Sequence, residues 1–252
     1  MIKELLERLR QGHKTTAFPK ESPQMPERFR GAPALSPEKC ADGCDACSKA
    51  CPNGAISLEG GLKVDLGRCI FCPDCSEACA SGAIRYTVDF RLAVSKRENL
   101  TVGAGGISLA QPIQEELRQI FARSLKLRQV SAGGCNGCEA EIAATGNIIF
   151  DLGRFGIQVV ASPRHADGLM VTGPGTANMK LALEKTYEAT PGPKIVIAVG
   201  SCALSGGPFR NLPEQSNGVE GSLPVDLYIP GCPPHPLTIL DGLLRLLGRL
   251  DD

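Results

Sequence analysis

The chain has 252 residues, enough for one large domain or two smaller ones. Lys plus Arg and Asp plus Glu both number 27, so no net charge points to nucleic acid or an acidic membrane surface. Trp is absent and aromatic residues make up only 4%, which argues against stacking platforms for single strands, while a hydrophobic content of 42% suits a soluble protein with a real core.

The first residues, MIKELLERLRQGHK, are charged throughout and lack the apolar stretch of a secretory signal. No run of about 18 apolar residues occurs, so no bilayer span is expected. These features predict a cytosolic chain whose thiols stay reduced. That matters for its 12 cysteines, because it disfavours disulfides and favours metal ligation. Residues 1–36 read as an N-terminal extension, with Leu5, Leu6 and Leu9 as a packing stripe or, alternatively, a stripe that docks on a neighbouring subunit.

Residues 37–98 carry two cysteine runs, CADGCDACSKACP and CIFCPDCSEACA. They are internal repeats: Cys44, Cys47, Cys51 and Gly54-Ala55-Ile56 recur 28 residues later as Cys72, Cys75, Cys79 and Gly82-Ala83-Ile84. Only Cys40 is out of step with Cys69, through one extra residue before Cys44. The second run has the bacterial ferredoxin spacing, in which three close thiolates grip one iron cube and the fourth reaches the other. The fourth is expected at the start of a helical turn, pointing away. Cys40, Cys44, Cys47 and Cys79 are therefore assigned to one [4Fe-4S] cluster, and Cys69, Cys72, Cys75 and Cys51 to a second. CxxC pairs also suit zinc, but eight cysteines in two such repeats favour iron cubes. Pro52 follows Cys51 as the pattern wants, whereas Ala80 stands at the matching place after Cys79.

Residues 99–127 read as a Gly-rich linker, NLTVGAGGISLAQP, and a packing helix with Ile113, Leu117, Ile120, Phe121 and Leu125 at helical spacing. From residue 128 to 252, short apolar runs alternate with amphipathic ones. RQVSA, IQVVAS, GLMVTG, KIVIAVG and VDLYIPG are candidate strands; EIAATGNIIFDLGRFG, TANMKLALEKTYEA and the segment from Pro236 to Leu250 are candidate helices. The alternation predicts an α/β fold, a flavodoxin-like open parallel sheet domain, preceded here by a small α+β bacterial 2[4Fe-4S] ferredoxin domain. Cys135 and Cys138 follow the first strand, Cys202 the fourth and Cys232 the fifth, all at the edge where such sheets gather ligands. A thioredoxin-type pair at Cys135 and Cys138 is the alternative, but it leaves the other two cysteines unexplained. Four thiolates suit a third [4Fe-4S] cluster. GPGTANM and SGGPF lack the nucleotide-binding pattern GxGxxG and read as tight turns.

Two resemblances follow from these motifs. Residues Phe29 to Asn99, with FRGAPALSPEKC, DLGRCIFC and FRLAVSKREN, resemble the ferredoxin-type subunit of formate hydrogenlyase. CNGCEAE, SPRHADGLMVTGP, GSCALSGGPF and PVDLYIPGCPPHPLTILDGLL resemble the iron-sulfur subunit shared by respiratory NADH:quinone oxidoreductase (its 20 kDa, B-type or PSST-like subunit) and membrane-bound [NiFe]-hydrogenases. The CxxC spacing of Cys135 and Cys138, where the quinone branch usually has adjacent cysteines, and HAD after SPR incline toward the hydrogenases.

The resemblance implies two neighbouring subunits joined in one chain. Such a chain would be the electron-transfer part of a multisubunit oxidoreductase, at the cytoplasmic face of the cell membrane. The implied partners are a large [NiFe]-hydrogenase-like or complex I 49 kDa-like subunit that holds the catalytic centre, a membrane module, and a donor or acceptor such as ferredoxin or a dehydrogenase subunit. Near the third cluster two polar residues stand out: Arg164 as a donor to cluster sulfurs and, as the motif's place in the family implies, Glu141 as a proton relay, with a surface or interface ion pair as the plainer reading of each. A quinone-reducing complex is the rival assembly.

Overall fold

A computed structural model describes residues 2–121 and 123–250. Helix α1 (Ile2–Gln11) buries no residue. Leu5, Leu6 and Leu9 are 59–75% exposed, so they are not a packing stripe. The reason is local: the chain turns at Gly12 in the left-handed region and is first pinned to the body at Thr15 and Thr16, where the Thr15 hydroxyl donates to the Ile148 carbonyl and the Thr16 N–H to that of Ile149. Residues 15–31 then form a strap across the molecule. Arg154 donates to the carbonyls of Thr16 and Phe18, and Phe29 packs edge-on against His235.

The cysteine-rich half is built from very short pieces: β1 (Pro33–Leu35), α2 (Ala46–Ala50), β2 (Ile56–Ser57), β3 (Lys63–Asp65), α3 (Asp74–Ala78), β4 (Ile84–Tyr86) and β5 (Thr101–Val102). Strands β1 and β4 pair antiparallel, as do β2 with β3 and β3 with β5. The Gly-rich stretch expected as a linker thus begins as a strand, because Leu100 and Val102 are fully buried and fasten it to β3. Arg97 forks onto both oxygens of Asp65 at 2.8 and 2.9 Å and fixes that corner.

Helix α4 spans Glu115–Phe121, shorter than its periodicity suggested; Leu125 already opens strand β6 (Leu125–Ser131). There follow α5 (Gly137–Ala144), β7 (Ile157–Val159), β8 (Gly168–Thr172), α6 (Ala177–Ala189), β9 (Ile195–Val199), α7 (Ser201–Ser205), β10 (Leu227–Ile229) and α8 (Pro236–Leu246). All five expected strands form one parallel sheet in the order β10-β9-β8-β6-β7, the flavodoxin-like order. Alternation assigns its two faces. Met170, Ile195, Ile197 and Val199 pack with α8 and Ile142 of α5. Leu169, Val171, Val196 and Ala198 point the other way, into a core shared with Leu183 of α6 and with Leu66, Ile84 and Val94. The cysteine-rich half therefore covers one face of the sheet. The edge is covered as well: Val94 pairs with Tyr228 of β10 through two backbone hydrogen bonds of 2.9 and 3.0 Å.

Candidate metal centres

None of the 12 cysteines pairs in a disulfide. The repeats place Cys47 and Cys75 inside α2 and α3, and Cys51 and Cys79 at the C-terminal caps of those helices. The fourth cysteine of each run thus ends a helix rather than starting one, because the chain leaves α-geometry there to reach β2 or β4. Cys40, Cys44, Cys47 and Cys79 line one cavity of about 190 Å³, which brings the far cysteine of the second run to the first. On the other side, Cys51 lies close enough to Cys69 and Cys75 to act on both electrostatically. Each run thus lends its last cysteine to the neighbourhood of the other. Among the described residues no three His, Cys, Asp or Glu side chains close in on a single ion.

Backbone amides point at these sulfurs with repeat symmetry. Ala55 N–H donates to Cys51 Sγ and Ala83 N–H to Cys79 Sγ, both at 3.2 Å. Phe71, held at φ 56° between Cys69 and Cys72, donates to Cys69 Sγ at 3.3 Å, and its carbonyl accepts from Arg30. The Tyr86 hydroxyl lies 3.4 Å from Cys69 Sγ and 3.6 Å from Cys75 Sγ. Burial pushes the Cys69 thiol up to about 11.

The third quartet forms where β6, β9 and β10 end. Cys135 and Cys138 sit at the start of α5, on either side of Asn136 at φ 70°. Cys202 lies in α7, directly beyond β9, and Cys232 follows β10. Burial and the neighbouring thiols push Cys138 and Cys202 up to about 12, Cys202 and Cys232 acting on the first and Cys232 and Cys135 on the second. These thiols keep their protons at neutral pH unless a cation displaces them. Two glycines leave the sulfurs room. A Cβ at Gly200, which has φ 86°, would collide with Cys138 Sγ, and one at Gly207 would stand 3.0 Å from Cys202 Sγ. Thiol donors, short loops and glycine clearance all fit an iron-sulfur cluster.

Of the two polar residues singled out, Glu141 is half-buried on α5, and burial raises its carboxyl above the usual range. Arg164 lies on a short turn, Pro163–His165, that buries no residue. Three other residues escaped the sequence reading. Burial would raise Glu139, but hydrogen bonds from Thr172 Oγ1, at 2.7 Å, and from Ser131 outweigh it and hold its carboxyl below the usual range. Its charge acts on Cys138 and Cys202. Buried Ser201 donates to the Cys69 carbonyl at 2.6 Å and lies 3.1 Å from the Gly231 carbonyl, so one hydroxyl joins the cysteine-bearing loops of the second and third quartets. Tyr86 is the third. Glu139 was visible as the residue next to Cys138; Ser201 depends on a contact across the fold, and Tyr86 on a difference between the two repeats.

Similarity to known proteins centres on this third quartet. The family described as NADH ubiquinone oxidoreductase, 20 Kd subunit, matches residues 135–246, a span that opens on Cys135 and contains all four sheet-edge cysteines. Formate hydrogenlyase subunit 7 of Escherichia coli (strain K12) is 43% identical over 59% of this chain and 61% of its own length. The chain thus spans less than two thirds of that relative. A probable membrane-bound hydrogenase subunit, mbhJ, of Pyrococcus furiosus is 43% identical over 54% of this chain and 81% of its own. The B-type subunit of NADH-quinone oxidoreductase from Heliobacterium modesticaldum is 42% identical over 56% and 81%. With four cysteines at the ends of three parallel strands and relatives matched over four fifths of their length, the chain belongs to the NADH ubiquinone oxidoreductase 20 kDa subunit family.

Proposed function

We propose that this chain is an electron-transfer subunit carrying three [4Fe-4S] clusters in a membrane-associated complex of the [NiFe]-hydrogenase or formate hydrogenlyase kind. In this reading, residues 37–98 act as a 2[4Fe-4S] ferredoxin joined by residues 99–127 to a small-subunit-like domain over 128–252, behind an extension of 36 residues. Cys40, Cys44, Cys47 and Cys79 would hold the first cluster; Cys69, Cys72, Cys75 and Cys51 the second; Cys135, Cys138, Cys202 and Cys232 the third. Bound there, the clusters supply one-electron transfer at potentials within roughly −700 to +450 mV. The observation that carries the reading is the gathering of the thiols into three quartets with graded exposure. Cys40 and Cys44 of the first quartet and Cys135 and Cys232 of the third are exposed, each pair beside one buried thiol (Cys47, Cys202), whereas the second has two buried thiols, Cys69 and Cys75, and none exposed. That is the arrangement of a conduit open to a donor on one side and an acceptor on the other.

The exposed third quartet would face a large subunit that holds the catalytic centre, and the exposed first quartet a soluble donor or acceptor. Among the described residues no helix is long and apolar enough to cross a membrane. Attachment to the cytoplasmic face of a membrane would therefore come through partners. Glu141 is the proposed proton relay toward the partner, burial favouring its protonated form, and Arg164 a proposed donor to the third quartet. Likeness to the B-type subunit of NADH-quinone oxidoreductase supports a second reading, a quinone-reducing assembly.

The test is anaerobic isolation. About twelve iron atoms per chain are expected, with three signals in low-temperature EPR. Cys232→Ser should remove one signal and leave the ferredoxin pair, whereas Cys79→Ser should damage the cluster of Cys40. Only two clusters, with the sheet-edge thiols free, would overturn the proposal. Nickel and hydrogen evolution in the native complex would favour the hydrogenase assembly; quinone reduction without nickel would favour the other.

A further inference from the structure

The two cluster sites of the cysteine-rich half are near-copies, and the departures from that symmetry are informative. Amide donors are matched: Ala55 to Cys51 and Ala83 to Cys79, each at 3.2 Å. The hydroxyl at the second quartet is not. Tyr86 ends β4, held in register opposite Pro33 and tilted against the Phe71 ring at 6.2 Å, with its oxygen within 3.6 Å of both Cys69 and Cys75 sulfurs. The 28-residue repeat puts Leu58 at the same place in the first half, and Leu58 borders a cavity with Cys40 and Cys44. The first quartet therefore has an alkyl group where the second has a phenol. Its own hydroxyl, Ser81 at 3.5 Å from Cys79 Sγ, is exposed, so water competes with it.

A cysteine bound as thiolate has no proton to give, which makes the phenol the only donor in this contact. A hydrogen bond to a charged acceptor strengthens as negative charge builds on the acceptor, and cluster potentials respond to such bonds. We propose that Tyr86 is a potential-setting residue: its hydroxyl favours the reduced state of the cluster held by Cys69, Cys72, Cys75 and Cys51, and so makes that cluster easier to reduce than the one held by Cys40, Cys44, Cys47 and Cys79. The step is uptake of one electron from an external one-electron reductant. No bond forms or breaks, and the phenolic proton stays on oxygen. The bias runs from the exposed first quartet toward the sheet, because the second quartet is the one whose Cys69 carbonyl is bonded to Ser201, next to Cys202. This inference rests on the three-cluster reading.

The experiment is a potentiometric EPR titration of the anaerobically isolated full chain, with dithionite as reductant. The second cluster's signal is assigned as the one altered by Cys72→Ser. Tyr86→Phe, which removes one oxygen, should lower the second cluster's one-electron reduction constant about tenfold, about 59 mV, and leave the first and third unchanged. An unmoved second potential, or an equal shift in all three, would overturn the proposal. If the variant fails to retain its iron, fluorotyrosine in place of the three tyrosines tests the same bond in an otherwise native chain. A stronger donor should raise only the second potential, and no rise would overturn the proposal. Absence of three signals in the unsubstituted chain would instead mean that the three-cluster reading itself is wrong.

Discussion

The two cysteine-bearing regions solve one problem in opposite ways. In the first, eight cysteines within 40 residues are brought together by elements of two to five residues, and Cys47, Cys69 and Cys75 are themselves part of the buried core. In the second, four cysteines spread from 135 to 232 are collected by a sheet whose strands β8 and β9 are buried at every position. Elements as short as β2 or α2 have little stability of their own. Strands such as β8 and β9, buried on both faces, draw their stability from apolar packing. The expectation is that bound clusters would hold the first region together, whereas in the second they would decorate a sheet already packed.

The sharpest way to break this contrast is to remove the iron. Chelation under reducing conditions should strip hydrogen-exchange protection from residues 37–98 while β6, β8 and β9 keep most of theirs; equal loss in both regions would refute the distinction. A smaller and more local effect is expected at Gly200. Alanine there faces both a positive φ and the Cys138 sulfur, so Gly200→Ala should abolish the third EPR signal and cost about 1–3 kcal/mol, measured by denaturant unfolding, with the ferredoxin-like signals intact. The smallest effect is expected at the seam. Ser201→Ala leaves the carbonyls of Cys69 and Gly231 without their hydroxyl partner and should cost about 1–2 kcal/mol with all three clusters retained. An unchanged midpoint would mean that the Ser201 hydroxyl adds nothing to the seam beyond its apolar contacts and the Val94–Tyr228 pairing.

Much of this was legible in the chain. The five strands announced themselves as Val- and Ile-rich runs, and the quartets as spacing plus a repeat. What failed to show were interruptions and long-range contacts. The run from Glu141 to Gly156 has helical periodicity, yet α5 stops at Ala144. Thr145 turns its hydroxyl onto the Ile142 carbonyl, and Asn147 Oδ1 captures the N–H groups of Ile149 and Phe150, each competing with the next helical turn. Ser201 and Cys69 are 132 residues apart, a separation no local pattern encodes. Tyr86 was hidden for another reason. The repeat shows itself through what its halves share, and the contrast of Tyr86 with Leu58 lies in what they do not.

The strap of residues 15–31 has a further consequence. It is laced to Ile149 and Arg154 before the first cysteine appears, while Val94 is stitched to Tyr228 after the last cysteine of that half. The cysteine-rich segment is thus leashed at both ends to the surface it covers, and its effective concentration against that surface stays high even if the contact loosens for a moment. Transient opening would be followed by rapid, in-register return, a form of self-repair that two untethered polypeptides meeting by diffusion would lack.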